Sequence, residues 1–306
     1  MWRNRNLLQM SLRTMLVLVT LIAIAFGLVV RRANQRREAI ESVRSLGGEV
    51  VFGRNTESLA YKVLSIMYGP ETFAEVRTIR LRDTDANDDT MATISALKEI
   101  TELGIEKTEV TNDGMRHVCR FRDLQYLMLN ETDIGDDGAV YIATLPKLHH
   151  LNAGGTRMSD DAGLPLGLMP NLRDLQLSGT QCTDQVIQNL QPLRTLEDLG
   201  LRGTKVTSAG LSQLDRFPNL EKIRLYRTAV DDDGMIELAQ MSKLRLVDVA
   251  STQITDVGLG HLIELPKLEQ LDVSATAVSS EAVEQFKLAH PKCSVEAHAI
   301  GRSKLN

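Results

Sequence analysis

Apolar residues recur every 24 positions through most of the chain. Three apolar columns are separated by three and then two residues, which gives the spacing L-x-x-L-x-L, as at Leu172, Leu175 and Leu177. The alternation that ends this spacing is typical of a short strand with one buried face. The first column contains nine residues: Val76, Ile100, Leu124, Leu148, Leu172, Leu196, Leu220, Leu244 and Leu268. The pattern therefore predicts one short strand in each of nine units.

A threonine follows each predicted strand at the same place in the unit. The column contains Thr84, Thr108, Thr132, Thr156, Thr180, Thr204, Thr228, Thr252 and Thr276. A hydroxyl that recurs at every strand-to-helix turn suggests a shared hydrogen-bonding role. We expect Thr180, Thr204 and Thr228 to be buried and to bridge adjacent turns.

A helix is predicted in the second half of each unit. Thr255-Asp256 and its equivalents supply a capping hydroxyl and a carboxylate at the positive end of a helix. Leu259 and Leu262 then fall on one helical face, and a proline such as Pro266 ends the element. One strand and one helix cannot bury their own apolar faces, so the units must stack into one continuous core.

Unit 4 departs from this pattern. It has Ala153 at a column that is otherwise large and apolar, Gly163 one place late, and Pro165 within the predicted helix. Because proline removes a donor and clashes with the preceding turn, we expect this helix to be broken or very short. Unit 1 has Thr90 in place of the usual glycine, as suits an end unit.

Residues 33–75 and 292–306 flank the array of repeats, which occupies residues 76–291. Ala39, Ile40, Val43 and Leu46 have helical spacing and end at two glycines. A strand is predicted at Glu49–Phe52 and a second helix at Leu59–Met67, and together these form an N-terminal cap. After the array, Cys293 and Val295 continue the strand pattern once more, and we expect the last ten residues to be loose.

Residues 1–32 contain the uncharged run MLVLVTLIAIAFGLVV from Met15 to Val30. As a helix it spans roughly 24 Å, and arginines at both ends can extend it to the roughly 30 Å hydrocarbon core of a membrane. The sequence favours a single-pass anchor that meets lipid through residues 14–30. A cleaved signal peptide is the alternative, since Ala23-Ile24-Ala25 has the small-x-small form. Arginines flank both sides, so the positive-inside rule does not fix the orientation; we lean toward an extracytoplasmic array.

Composition agrees with a stacked aliphatic core. The chain is 43% hydrophobic but only 4% aromatic, and leucine, isoleucine and valine fill such a core without large rings. Residues 1–37 hold seven arginines and no acid, so the net charge of −5 leaves −12 on the remainder. An acidic body argues against a nucleic-acid partner, which needs a basic face to neutralise phosphates.

The residues that could bind metal have simpler explanations. Asp83 to Asp88 begin like a calcium loop, but Asp88 stands where glycine is needed and Ile94 where the closing glutamate belongs. His149 and His150 have no third ligand at a suitable spacing. A column of acids is explained by helix N-termini, and it contains Asp88, Asp136, Asp160, Asp184, Asp232 and Asp256. Cys119, Cys182 and Cys293 show no metal-type spacing, and Cys182 lies in a core column as an inert thiol. No cofactor, metal or catalytic motif is therefore predicted, and the chain is not expected to be an enzyme.

The unit L-x-x-L-x-L-x-x-T-x-I-T-D-x-G-L resembles the leucine-rich repeats of bacterial and ribonuclease-inhibitor-like proteins. The resemblance extends from Val76 to about Pro291. It implies an α/β solenoid, a right-handed arc with parallel strands on the concave face and helices on the convex face. It also implies a binding rather than a catalytic role.

We predict that a protein partner binds the strand face across units 3 to 7. Small residues there would form a shallow floor that a partner backbone can approach: Asn152, Gly154, Gly155, Ser178, Gly179, Gly200 and Gly203. Larger residues border it, and tyrosine and arginine are frequent interface anchors. The predicted partner-binding residues are Tyr126, His149, His150, Arg173, Arg202, Arg224, Tyr226 and Arg227, and Met128 adjoins them. The alternative is that Arg224 pairs with Asp248 as a surface ion pair of little consequence.

Three functions fit such an array. The favoured one is a membrane-anchored, non-enzymatic protein-binding module. The second is a substrate receptor of a protein-modifying complex, like F-box proteins, although residues 38–75 are too short to supply the helical adaptor module that such a receptor needs. The third is a purely structural spacer from the membrane.

Overall fold

The computed structural model describes residues 12–53, 66, 69 and 74–298 of the chain. Their strands form one sheet of 11 in chain order, so each strand lies between its sequence neighbours. The strands are β1 Glu49–Phe52, β2 Val76–Arg80, β3 Glu102–Gly104, β4 Tyr126–Met128, β5 His150–Asn152, β6 Asp174–Gln176, β7 Asp198–Gly200, β8 Lys222–Arg224, β9 Leu246–Asp248, β10 Gln270–Asp272 and β11 Ser294–Glu296. The predicted extra strand near Cys293 is β11.

Helices alternate with these strands. They are α1 Leu12–Ser45, α2 Asp88–Ile94, α3 Asn112–Val118, α4 Asp136–Ile142, α5 Gly163–Leu166, α6 Asp184–Asn189, α7 Ser208–Leu211, α8 Asp232–Ala239, α9 Asp256–His261 and α10 Ser280–Ala289. Single 3₁₀ turns at Asp160–Ala162, Leu214–Arg216 and Leu262–Glu264 complete three of the units. The prediction of one strand and one helix for each unit is confirmed.

The units stack in strict register. From β2 to β11 the strands are parallel, and each residue pairs with the residue 24 positions later, as Leu151 pairs with Leu175 and Leu175 with Leu199. The L-x-x-L-x-L side chains point to the helices and are buried in one continuous core. Burying them needs both neighbours, which is why a single unit does not suffice.

The threonine column stabilises the turn that follows each strand. Every threonine hydroxyl donates to the carbonyl three residues earlier, as Thr204 Oγ1 does to Leu201 at 2.7 Å. Thr180, Thr204 and Thr228 are buried, as expected. The expectation that they bridge adjacent units is wrong, because each hydroxyl bonds within its own unit.

The aspartate column supplies the bridge between units instead. Asp184 opens α6, and its carboxylate accepts hydrogen bonds of 2.7 Å from both the backbone N–H and the hydroxyl of Thr207, which caps the next helix. The same pair of bonds recurs from Asp88, Asp136, Asp160, Asp232 and Asp256. The position at a helix start therefore explains only part of the role of these aspartates. They also join each unit to the next by hydrogen bonds.

Unit 4 has the shortened helix that its sequence predicts. A 3₁₀ turn at Asp160–Ala162 leads into α5, which is four residues long. Gly167 follows, and an added Cβ there would lie 2.7 Å from the Asn189 carbonyl of the next unit. The chain therefore passes close to unit 5 at this point.

The N-terminal helix is longer than the sequence pattern indicates. The apolar run and the Ala39–Leu46 segment, which we treated as separate elements, form α1, a continuous helix of 34 residues. Its first half is exposed, whereas Ala33, Ala39, Ile40 and Val43 are buried. Among the described residues, one helix, α1, is long enough and apolar enough to cross a membrane. The strand predicted at Glu49–Phe52 is β1, antiparallel to β2. The helix expected at Leu59–Met67 falls almost entirely outside the described residues.

Candidate partner-binding surface

The sheet face opposite the helices is the concave surface of the solenoid, and two positions of each strand point onto it. One row aligns His150, Asp174, Asp198 and Lys222 across β5 to β8. The parallel row contains Asn152, Gln176, Gly200 and Arg224. Strands about 4.8 Å apart bring side chains from successive units within hydrogen-bonding reach.

Three of the predicted residues form an aromatic and imidazole cluster at β4 and β5. The Tyr126 ring meets His149 edge-on at 4.6 Å between centroids and lies 5.8 Å from His150. The Tyr126 side chain remains 43% exposed. The ring is thus held in place yet open to a partner.

A chain of polar contacts leads from this cluster across four strands. His150 Nδ1 lies 2.9 Å from Asp174 Oδ2, and the Gln176 amide donates to Asp174 at 2.7 Å and to Asp198 at 3.1 Å. Asp198 also forms an ion pair with Arg224. We call His150, Asp174, Gln176, Asp198 and Arg224 the polar path.

The polar path shifts the titration of its first two members. The hydrogen bond that His150 donates to Asp174 raises the pKa of His150 above its usual value, because it stabilises the imidazolium. Burial opposes ionisation of Asp174, but hydrogen bonds from His150 and Gln176 outweigh it and lower the pKa of that carboxyl. The pair is therefore held as an ion pair over a wider pH range than free side chains would be.

A second ion pair lies toward the C-terminal end of the concave surface. Arg202 reaches past a whole unit to Asp248, with its Nη2 atom 2.7 Å from Oδ2. Burial raises the pKa of Asp248, although Arg202 works in the opposite direction. The two residues line a groove of about 310 Å³ together with Leu246, Gln270, Asp272 and Glu296. The alternative in which Arg224 pairs with Asp248 is wrong, since Arg224 pairs with Asp198 instead.

The remaining predicted residues lie at the borders of this surface. Arg173 sits at the start of β6 and pairs with Glu197 at 3.0 Å. The Tyr226 side chain is 38% exposed, and the Arg227 guanidinium lies 5.8 Å from its ring centroid. The structure brings Tyr126, His149 and His150 together, and it places Arg202 and Tyr226 on neighbouring units.

The predicted floor of small residues is only partly open. Gly200 is covered, because the Gln176 amide occupies the space where a Cβ would lie, 1.8 Å from Oε1. Gly155, Gly179 and Gly203 have positive φ angles of 68°, 69° and 64°. Their column is left-handed in every unit, including Glu131 and Arg227. These glycines therefore serve the turn first, and nothing lies within 4 Å of a Cβ at Gly203.

Sequence analysis named Asp248 only as a possible pair for Arg224, and it missed Asp174, Gln176 and Asp198. Asp198 and Asp248 are 7% and 5% exposed, and Asp174 and Gln176 connect the histidine to the arginine. All four occupy the two outward strand columns that also contain His150 and Arg224. Reading those columns as rows across units would have found them.

No group of three or more potential metal-ligating side chains is present in the part of the chain that the structure describes. The Cys182 thiol is buried in the core, and burial raises its pKa to about 11. That thiol is therefore protonated at neutral pH and unsuited to nucleophilic chemistry.

Comparison with known proteins found one family model and several solved structures similar to this chain. A leucine-rich-repeat family model matches residues 122–143. Internalin C2 of Listeria monocytogenes is 21% identical over 70% of this chain and 85% of its own, with a TM-score of 0.49. Internalin F of the same organism is 19% identical over 68% and 71%, with a TM-score of 0.48. A leucine-rich-repeat protein of Leptospira interrogans is 20% identical over 67% and 62%, with a TM-score of 0.39. No curated protein matches the chain.

The class of protein follows from the repeat itself. Nine units of 24 residues carry the L-x-x-L-x-L strand, and ten parallel strands stack them in register against helices. The chain therefore has the strand-and-helix architecture of a leucine-rich-repeat solenoid, and its third unit matches the leucine-rich-repeat family model.

Proposed function

We propose that this chain is a membrane-anchored, non-enzymatic module that binds a partner protein on its concave surface. The observation that carries the proposal is the polar path between two exposed tyrosines, Tyr126 and Tyr226. Side chains held by one another on adjacent strands lose little conformational freedom on binding, and fixed aromatic and arginine groups are frequent hot spots. The same surface could serve a secreted form if the N-terminal segment were cleaved.

The protein-binding role is tested by capturing partners on the full chain and identifying them by mass spectrometry. The double variant Arg202→Ala with Tyr226→Ala should weaken binding of the captured protein by about 2–4 kcal/mol. Neither residue lies in a core column, so the melting temperature should change little. A matched control, Arg116→Ala with Val257→Ala, removes exposed side chains from the outer helices α3 and α9. Equal losses from both variants, or none from the first, would contradict a concave site.

The anchoring role is tested separately by fractionation. Full-length protein should stay with membranes through high salt and carbonate, because the exposed apolar half of α1 provides the attachment. Deletion of residues 1–32 should release a folded repeat domain, since the buried positions of α1 begin at Ala33. Full-length expression that yields a soluble protein beginning near Phe26 would show a cleaved signal instead.

A substrate-receptor role is the second candidate. Among the described residues between α1 and β2, β1 is the one element longer than a single residue. The helix α1 itself is packed on α2. An adaptor module would have to come from elsewhere in a complex. Co-purification of protein-modifying subunits with the chain would favour this role over simple capture.

A further inference from the structure

The direction of α1 relative to the repeats determines which edge of the array faces the membrane. At one level of α1, Arg36 forms an ion pair with Glu99, and its guanidinium donates to the Ala74 carbonyl at 2.7 Å. Ala74 precedes β2, and Glu99 precedes β3. This level of α1 therefore lies beside the points where strands begin.

The end of α1 lies beside the points where strands end. Gly48, three residues after α1, packs so closely that an added Cβ would lie 2.8 Å from the Arg80 carbonyl and from Leu81. From Arg36 to Ser45 the helix advances about 14 Å, and the strand from Val76 to Leu81 advances about 17 Å. The contact near the start of β2 precedes the contact near its end along α1 as well, so α1 runs in the same direction as β2 while it packs on β1 and α2.

The loops from each helix to the next strand therefore lie on the side from which α1 arrives. Val30 ends the apolar run six residues before Arg36, which is about 9 Å along the helix. The headgroup layer beyond the hydrocarbon is about 5–7 Å thick. With α1 across a bilayer, these loops come within about one Debye length, 8–10 Å, of the headgroups.

The two edges of the array carry opposite charge. The helix-to-strand loops contain 11 Lys or Arg and six Asp or Glu, a net of +5, and we call them the basic edge. Its segments are 96–101, 120–125, 144–149, 168–173, 192–197, 216–221, 240–245, 264–269 and 288–293.

The strand-to-helix turns contain six basic and 19 acidic residues, a net of −13, and form the acidic edge. Its segments are 82–90, 106–114, 130–138, 154–162, 178–186, 202–210, 226–234, 250–258 and 274–282.

Side chains on the basic edge also tie successive loops together. The Arg122 guanidinium donates to the Thr144 carbonyl at 3.1 Å, and that of Arg194 donates to Arg216 at 2.6 Å. These bonds cover backbone acceptors and leave the cations exposed along the edge. The edge therefore presents ordered positive charge where the headgroups of the membrane would be.

We propose that the basic edge docks on a bilayer surface that carries anionic headgroups. The array then lies along the membrane, with the acidic edge facing away and the concave surface open sideways. The proposal rests on the membrane anchor of the proposed function. A rigid helix sets the distance, and the opposite charges of the two edges set the orientation. Exposed Arg31, Arg32 and Arg37 continue the positive charge at the point of entry.

The test uses the full chain reconstituted into vesicles of phosphatidylcholine, with or without phosphatidylglycerol. In a Cys119→Ser and Cys293→Ser background, a fluorophore is attached at Ser242→Cys on the basic edge or at Ala229→Cys on the acidic edge of the same unit. A nitroxide on the lipid headgroup quenches only at short range. With phosphatidylglycerol we expect the label at residue 242 to be quenched at least about twofold more strongly than the label at residue 229. The difference should decrease as added salt screens the attraction.

Two matched charge variants sharpen the test. Lys98→Glu, Lys267→Glu and Lys292→Glu reverse exposed charges on the basic edge, and quenching at Ser242 should fall to the level in neutral vesicles. Lys107→Glu, Arg157→Glu and Lys205→Glu change the net charge equally on the acidic edge and should leave it unchanged. Equal quenching of the two labels, or equal loss in the two variants, would overturn the proposal. A carbonate wash of the same vesicles tests the anchor, and protein that washes off would contradict the proposed function itself.

Discussion

Carboxylates are used in two different ways on two sides of this molecule. At the strand-to-helix turns, Asp184 and its equivalents occupy one position of the repeat in six of the nine units and make the same two bonds to the next unit. On the concave surface, Asp198 and Asp248 occur at columns whose residue type varies from unit to unit, and each pairs with an arginine. A contact that every unit needs must recur with the period of the repeat, whereas a contact made once forms a local feature. The turn network therefore joins the units, and the concave network gives the surface its individual shape.

The strongest way to break this contrast is to remove one member of the recurring network. Asp184→Ala deletes the acceptor for both the N–H and the hydroxyl of Thr207. We expect a loss of about 2–3 kcal/mol in unfolding free energy, because two charge-assisted bonds disappear in a half-buried turn. Denaturant unfolding measures it. Asp137→Ala, an exposed acid in the first turn of α4, is the control and should cost less than about 1 kcal/mol. Equal costs would show that the bridge between units contributes nothing.

The threonine column should give the next largest effect. Thr204→Val keeps the volume but removes the buried bond from Oγ1 to the Leu201 carbonyl, and we expect a cost of about 1–2 kcal/mol. Thr144→Val removes a bond of the same form to Tyr141 at an exposed site, where water can replace it. Thermal unfolding of both variants measures the difference. An unchanged melting temperature for Thr204→Val would contradict the role assigned to this column.

The concave acids should behave differently. Because burial raises the pKa of Asp248, ionisation of this carboxyl is less favourable in the folded protein than in the unfolded chain. Asp248→Asn keeps the shape without the charge, and Arg202 is 47% exposed and stays hydrated. We expect a stability change within about 1 kcal/mol of zero, together with weaker binding of a captured partner. A loss as large as that of Asp184→Ala would make this acid structural.

The smallest effect concerns pH. Because the pKa of His150 is raised by folding, His150 stabilises the folded state fully below its unfolded pKa of about 6.5, and this stabilisation is lost as pH rises through the folded pKa. Because the pKa of Asp174 is lowered by folding, Asp174 stabilises the folded state above its unfolded pKa of about 3.9, and this stabilisation is lost as pH falls through the folded pKa. His150→Gln should therefore be less stable than the parent mainly between the folded pKa of Asp174 and the folded pKa of His150, by under about 1 kcal/mol. A constant difference up to pH 9 would exclude the ion pair as its origin.

Most of the fold follows from local pattern. The period of 24, the alternation at the end of each strand and the helix-start residues predict the parallel sheet and its helices, and Pro165 with Gly163 predicts the short helix of unit 4. Each of these features depends on residues close together in the chain. Backbone geometry and local capping are sufficient to read them.

The candidate surface was less predictable. The tyrosine, histidine and arginine positions stand out by residue type, but their partners Asp174, Gln176 and Asp198 do not. The pairing of Arg202 with Asp248 spans 46 positions, and the covering of Gly200 by Gln176 depends on which rotamer the neighbouring unit allows. Such contacts are choices among several nearby acids and amides, and spacing alone does not rank them.

The sequence by itself determined that nine identical registers stack into a leucine-rich-repeat solenoid, because each unit carries the same buried columns and the same turn. The tertiary structure alone decided that α1 is one helix continuous from the apolar run through the buried segment that ends at Ser45, and that it runs in the same direction as β2. The run and the buried segment both favour helix, so the pattern permits a break or a continuous rod between them. Packing of Ala33, Ala39 and Val43 on the end of the array selects the continuous helix, because those side chains are buried only when the helix lies along that face.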